Sequence, residues 1–100
     1  MNTIEKQITR YMIRALDVIG FKPIKVDEFR VKNQREVIEW VEQVGEARVV
    51  FSNGEKRHTV LLVPGNDVDI ITDWNFSVGD PDGFSAAMDA VLDWINERFE

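Results

Sequence analysis

The chain has 100 residues, 44% hydrophobic and 30% charged. That is enough for one domain, residues 1–100, with its own core, and too apolar for a disordered segment. It holds no cysteine, which removes disulfides, zinc–thiolate centres, iron–sulfur clusters and thiol nucleophiles. A net charge of −6 argues against nucleic-acid binding, whose affinity comes from Lys and Arg on phosphates, and suits a basic protein partner or plain solubility.

The opening MNTIEKQITR lacks the apolar stretch of a signal peptide, and no apolar run nears the ~20 residues of a membrane span. The expectation is a cytoplasmic protein without a membrane partner. Ile4, Ile8, Tyr11, Met12, Ala15, Leu16 and Ile19 recur at helical spacing, so residues 3–19 are predicted as an amphipathic helix. Asn2 and Glu5 have the spacing of a capping box, and Gly20 is placed to end the helix. KPIKVDEFRV over 22–31 alternates weakly and predicts one or two short strands, with Pro23 near the start or on an edge.

Asn33, with Glu36 three residues on, predicts the cap of a second helix that buries Val37, Ile38, Val41 and Val44 and ends at Gly45. Three strands follow, at 47–52, 57–63 and 68–74. Asn53-Gly54 between the first two predicts a type I′ hairpin, and Pro64-Gly65-Asn66-Asp67 a second turn. Residues 77–83 read as a loop. Asp80 as N-cap and Pro81 as first residue start a last helix, with Phe84, Ala87, Met88, Val91, Leu92, Ile95 and Phe99 as its apolar stripe.

The predicted order is α-β(β)-α-β-β-β-α. Sequential strands joined by short turns pair antiparallel, so the fold class is α+β: a two-layer arrangement of an antiparallel β-meander sheet and about three helices. Tight turns would set Val49 opposite His58, Ala47 opposite Val60, Val60 opposite Ile71 and His58 opposite Asp73. One face would then carry Ala47, Val49, Phe51, His58, Val60, Leu62, Asp69, Ile71 and Asp73. The other would carry Arg48, Val50, Arg57, Thr59, Leu61, Val63, Val68, Ile70, Thr72 and Trp74. Both sets are about half apolar, so either helices cover both faces or another chain closes one.

His58 is the chain's one histidine, and beside Asp73 it would form a base and its orienter. The nucleophile would have to be Thr59 or Ser77, without any motif around them. The plainer reading is a histidine paired with a carboxylate. Asp73-Trp74-Asn75-Phe76-Ser77 opens like a calcium loop, but the glycine of position six is Val78 and the glutamate of position twelve is Phe84. Asp67, Asp69, Asp80 and Asp82 lie nearby, more simply as turn and cap carboxylates. No metal or other cofactor is expected. Of three tryptophans, Trp40 and Trp94 flank helix stripes. Trp74 ends a strand before a loop and is the candidate for an interface. The binding candidates are thus Trp74, His58, Asp73 and Asp69.

Val60-Leu61-Leu62-Val63-Pro64-Gly65-Asn66, followed by Ile71-Thr72-Asp73, resembles a V-x-L-V-x-G-N then I-x-D pattern in small uncharacterised proteins encoded by phages and prophages. The resemblance extends in element order over about residues 12–92, and departs at Trp74, where those proteins carry a smaller aromatic or histidine. It implies a phage or prophage origin, hence a bacterial host cell, and no known activity. The expected function is a non-enzymatic, protein-binding accessory protein that engages a partner or itself. The alternatives are an acidic inhibitor, immunity protein or DNA mimic, and a small metal-dependent hydrolase built on His58, Asp69 and Asp73.

Overall fold

The computed structural model describes residues 1–75, 79 and 81–100. Phe76, Ser77, Val78 and Asp80 lie outside the described residues, and with them the cap expected at Asp80 and the middle of the calcium-like loop.

Three α-helices and a five-stranded antiparallel sheet make up the fold, in the predicted order. Helix α1 (Thr3–Val18) begins with the capping box: Asn2 Oδ1 accepts from the Glu5 amide, and Glu5 Oε1 accepts from the Asn2 amide. It ends at Gly20, whose φ of +89° lets the Gly20 and Phe21 amides reach back to Asp17 and Leu16. Strands β1 (Lys22–Val26) and β2 (Phe29–Arg30) form a short hairpin. Helix α2 (Gln34–Val44) is capped by Asn33 as its spacing predicts.

Strands β3 (Ala47–Ser52), β4 (Arg57–Leu62) and β5 (Ile71–Trp74) complete the sheet, in spatial order β2-β1-β3-β4-β5. A one-turn 3₁₀ segment, Asp67–Asp69, separates β4 from β5. Helix α3 (Phe84–Phe99) starts three residues later than Pro81. Pro81 and Asp82 sit in a turn, Gly83 is the N-cap residue, and the Asp82 side chain accepts from the Phe84 amide.

Two register expectations need correction. In the β3–β4 hairpin Val49 faces Val60 and Phe51 faces His58, a slip of two residues. Asn53 Oδ1 accepts from the amides of both Glu55 and Lys56, and this side-chain turn stabilises a four-residue loop in place of the two-residue type I′ turn. Gly54 has positive φ and Asn53 does not. A slip of two keeps every side chain on its face. Between β4 and β5 there is instead a bulge: Leu61 faces Asp73 while Leu62 faces Ile71. One extra residue reverses the alternation beyond it, so Asp73 moves to the face of Leu61 and Trp74 comes opposite Val60. Ile70 and Ile71 are both buried, although alternation had put them on opposite faces.

All three helices cover one face of the sheet. Ile8, Met12 and Leu16 of α1, Val37 and Val41 of α2, and Phe84, Met88, Val91 and Ile95 of α3 share one core cluster with Val26, Val49, Phe51, Val60, Leu62 and Ile71. No helix among the described residues is long and apolar enough to cross a membrane.

Candidate protein-docking face

The other face of the sheet is open. Its side chains form two cross-strand rows: Lys25, Val50 and Thr59, then Arg48, Leu61 and Asp73. Val50, Thr59 and Leu61 are half-buried among their neighbours, and Arg48 and Asp73 are exposed. Two adjoining clefts share Arg48 and Thr59. One, of about 300 Å³, is lined by Arg48, Thr59, Leu61, Asp73, Trp74 and Asn75. The other, of about 600 Å³, adds Val50 and the carboxylates of Asp27, Glu28 and Glu46.

The backbone around Arg48 is fixed from the neighbouring turn. Asp27 Oδ1 accepts from the Arg48 amide at 2.9 Å, and the Arg48 carbonyl accepts from the Asp27 amide at 2.8 Å. On the far side, Asn75 Oδ1 accepts from the Thr59 amide at 2.8 Å, while Thr59 returns its carbonyl to the Asn75 amide. Strand β5 is therefore held in place beyond its last ladder pair. Arg48 forms no ion pair with the carboxylates around it: among the described residues none lies within 4 Å of its guanidinium.

Trp74 lines this cleft from the sheet edge and also packs on the core. Its indole N–H is buried and meets no acceptor among the described residues. An unmet buried donor costs about 1–3 kcal/mol. Trp74→Phe removes that donor along with some packing area, so its thermal unfolding is expected within about 1 kcal/mol of wild type. A loss above about 2 kcal/mol would show that the indole N–H is satisfied.

The four candidate residues do not come together. Asp73 stands on the open face, and Trp74, opposite Val60 on the helix side, reaches the cleft only at the sheet edge. Asp69 is exposed in the 3₁₀ turn. His58 points into the core, 8% exposed, and its partner is Asp82: Nε2 and Oδ2 are 2.7 Å apart. The expected His58–Asp73 dyad is thus not formed, because the slip and the bulge set Phe51 opposite His58 and move Asp73 to the other face. Thr59, the residue after His58, faces away from it. The imidazole stacks on Phe84 at 4.2 Å between centroids and meets the edge of Phe21 at 5.3 Å. The hydrogen bond from His58, joined by the Phe84 amide, outweighs burial and holds the Asp82 carboxyl below its ordinary value. This pair ties the start of α3 to the start of β4. Among the described residues no three His, Asp or Glu side chains are grouped to hold a metal ion.

Sequence reading passed over Arg48, which appeared only as one polar position in an alternating strand. Its placement at the centre of an uncovered face depends on which side the helices pack, and periodicity leaves that choice open. Comparison with protein-family models, with curated proteins and with solved structures gave no match.

Proposed function

We propose that this chain is a non-enzymatic, protein-binding accessory protein of phage or prophage type, and that it docks its partner on the open face of the sheet. The observation that carries this reading is the segregation of all three helices to one side, which leaves Val50 and Leu61 beside Arg48 on the other. Aliphatic side chains around an unpaired guanidinium call for a partner surface with an apolar centre and a carboxylate for Arg48. The phage and prophage assignment rests on the residue pattern from Val60 to Asp73.

The alternative of an acidic inhibitor or DNA mimic calls for a surface of carboxylates. Here Arg48 and Lys25 stand among Asp27, Glu28, Glu46 and Asp73, and this mixture of both signs favours an ordinary mixed interface. The hydrolase alternative has its three residues apart: His58 in the core, Asp69 in the exposed 3₁₀ turn and Asp73 on the open face.

The test is affinity capture from bacterial lysate at two salt concentrations, with wild type, Arg48→Ala and Leu61→Glu compared, alongside light scattering of the purified chain. The expected result is one dominant partner whose retention falls roughly 30-fold or more in Arg48→Ala, as when one member of a buried charge pair is removed, and is lost in Leu61→Glu. Both variants should melt close to wild type, because neither side chain is part of the core cluster. Equal capture by all three proteins would move the interface elsewhere. A wild-type dimer that Leu61→Glu dissociates would replace the foreign partner with a second copy.

A further inference from the structure

A second surface is set apart from the docking face by the core. Helices α1 and α3 pack side by side, and Tyr11 stacks on Trp94 with centroids 3.9 Å apart and planes within 3°. Around this ring pair opens a cleft of about 390 Å³, lined by Gln7, Arg10, Tyr11, Arg14, Trp94 and Arg98. Three of the chain's 12 basic residues therefore line one cleft that no carboxylate lines, on a protein of net charge −6.

The three guanidiniums are also uncommitted. Among the described residues none of them forms an ion pair within 4 Å. Arg10 and Arg14 stand one helical turn apart on α1, which places their side chains side by side. Arg98 lies over the rings of Trp94 and Phe99, with Cζ 5.7 and 5.8 Å from their centroids. Cation–π contact holds a guanidinium in place and leaves its N–H edge free.

We propose that Arg10, Arg14 and Arg98, set around the Tyr11–Trp94 pair, bind a compact phosphate-bearing ligand. The donor count selects phosphate over carboxylate. Each guanidinium presents up to five N–H groups in a planar fork, and a carboxylate with two oxygens answers one fork. A di- or triphosphate answers several from one small volume. The overall negative charge opposes a long polyanion, and three cations confined to one cleft match a short one. The ring pair beside them supplies an apolar wall against which a base can lie, so the same site accommodates either a free oligophosphate or a nucleotide.

The experiment is isothermal calorimetry at low salt with two probes, inorganic tripolyphosphate and ATP without metal, on wild type and on Arg14→Gln, Arg10→Gln/Arg14→Gln/Arg98→Gln and Lys32→Gln. The expected result is saturable binding of tripolyphosphate. It weakens about 10-fold in Arg14→Gln, disappears in the triple variant and is unchanged in Lys32→Gln, whose lysine lies outside this cleft. ATP binding at least 10-fold tighter than tripolyphosphate, with the excess lost in Tyr11→Leu, identifies a nucleotide. Equal affinity identifies the phosphate chain alone. Circular dichroism on each variant separates lost binding from lost folding. No heat with either probe at millimolar concentration, or binding that survives in the folded triple variant, overturns the proposal.

Discussion

Glu5→Ala is expected to lower the stability of the chain by about 3 kcal/mol, seen as a fall in Tm of roughly 12 °C or more. Glu5 is 1% exposed and serves two ends of the fold. Its Oε1 closes the capping box on the Asn2 amide at 3.0 Å. Its Oε2 accepts from the amides of Gly65 at 2.7 Å and Asp67 at 3.0 Å, and so pins the turn between β4 and β5 to the start of α1. Burial pushes this carboxyl up, but the three backbone N–H groups outweigh it and hold the group below its ordinary value of 4.5. A depressed carboxyl means that the unfolded chain takes up a proton at higher pH than the folded one does. The stabilising contribution is therefore complete above about pH 5 and is lost as pH falls through the folded value. Chemical denaturation at pH 7 and at pH 4 should show the gap between wild type and Glu5→Ala narrowing in acid. Glu5→Gln, which keeps one acceptor and turns an amide toward donors, should fall between the two. A loss below about 1 kcal/mol in Glu5→Ala would show that water replaces the carboxylate at Gly65 and Asp67.

Glu5 also marks where sequence reading stopped. The capping box was legible because its partners lie three residues apart, as were the cap of α2 at Asn33 and the end of α1 at Gly20. The three helices followed from apolar spacing, though the last begins three residues after the expected Pro81, and the meander of the last three strands followed from short turns. The tie from Glu5 to Gly65 spans 60 residues, and no local pattern announces it. The same tie explains why β5 is shorter than alternation suggests: with the Gly65 and Asp67 amides drawn to α1, the chain makes a 3₁₀ turn before it can pair again. Alternation survived the two-residue slip at Asn53 because a strand repeats every two residues. It failed past the single-residue bulge at Leu61–Leu62, and that failure moved Asp73 and Trp74, two of the four proposed binding residues. Sequence reading did not single out Arg10, Arg14 or Arg98. Their convergence depends on how α1 and α3 pack, which neither helix encodes alone.

The second large effect is expected at His58 and Asp82. His58→Ala should destabilise by about 3 kcal/mol: the hydrogen bond to a charged group contributes about 1.5–3 kcal/mol and the ring stack on Phe84 about 0.5–1.5. Both side chains are nearly buried, at 9% and 12% exposure, so solvent screens the pair little. Asp82→Asn should cost less, about 1–2 kcal/mol, because an amide oxygen can still accept from the Phe84 amide while the charge is lost. In a double-mutant cycle the two changes should couple by 1 kcal/mol or more, as for residues in direct contact. The pH dependence has a definite sign. The Asp82 carboxyl is held below its ordinary value of 3.8 by the His58 hydrogen bond first, so its contribution is present above about pH 4–5 and fades as pH falls through the folded value. Asp82→Asn should therefore flatten the acid limb of the stability curve. Additive single changes, or an acid limb as steep in Asp82→Asn as in wild type, would remove this pair from the forces that hold α3 against β4. A binding activity retained by His58→Ala after correction for stability would place His58 in the scaffold, where its contacts with Phe84 and Phe21 already put it.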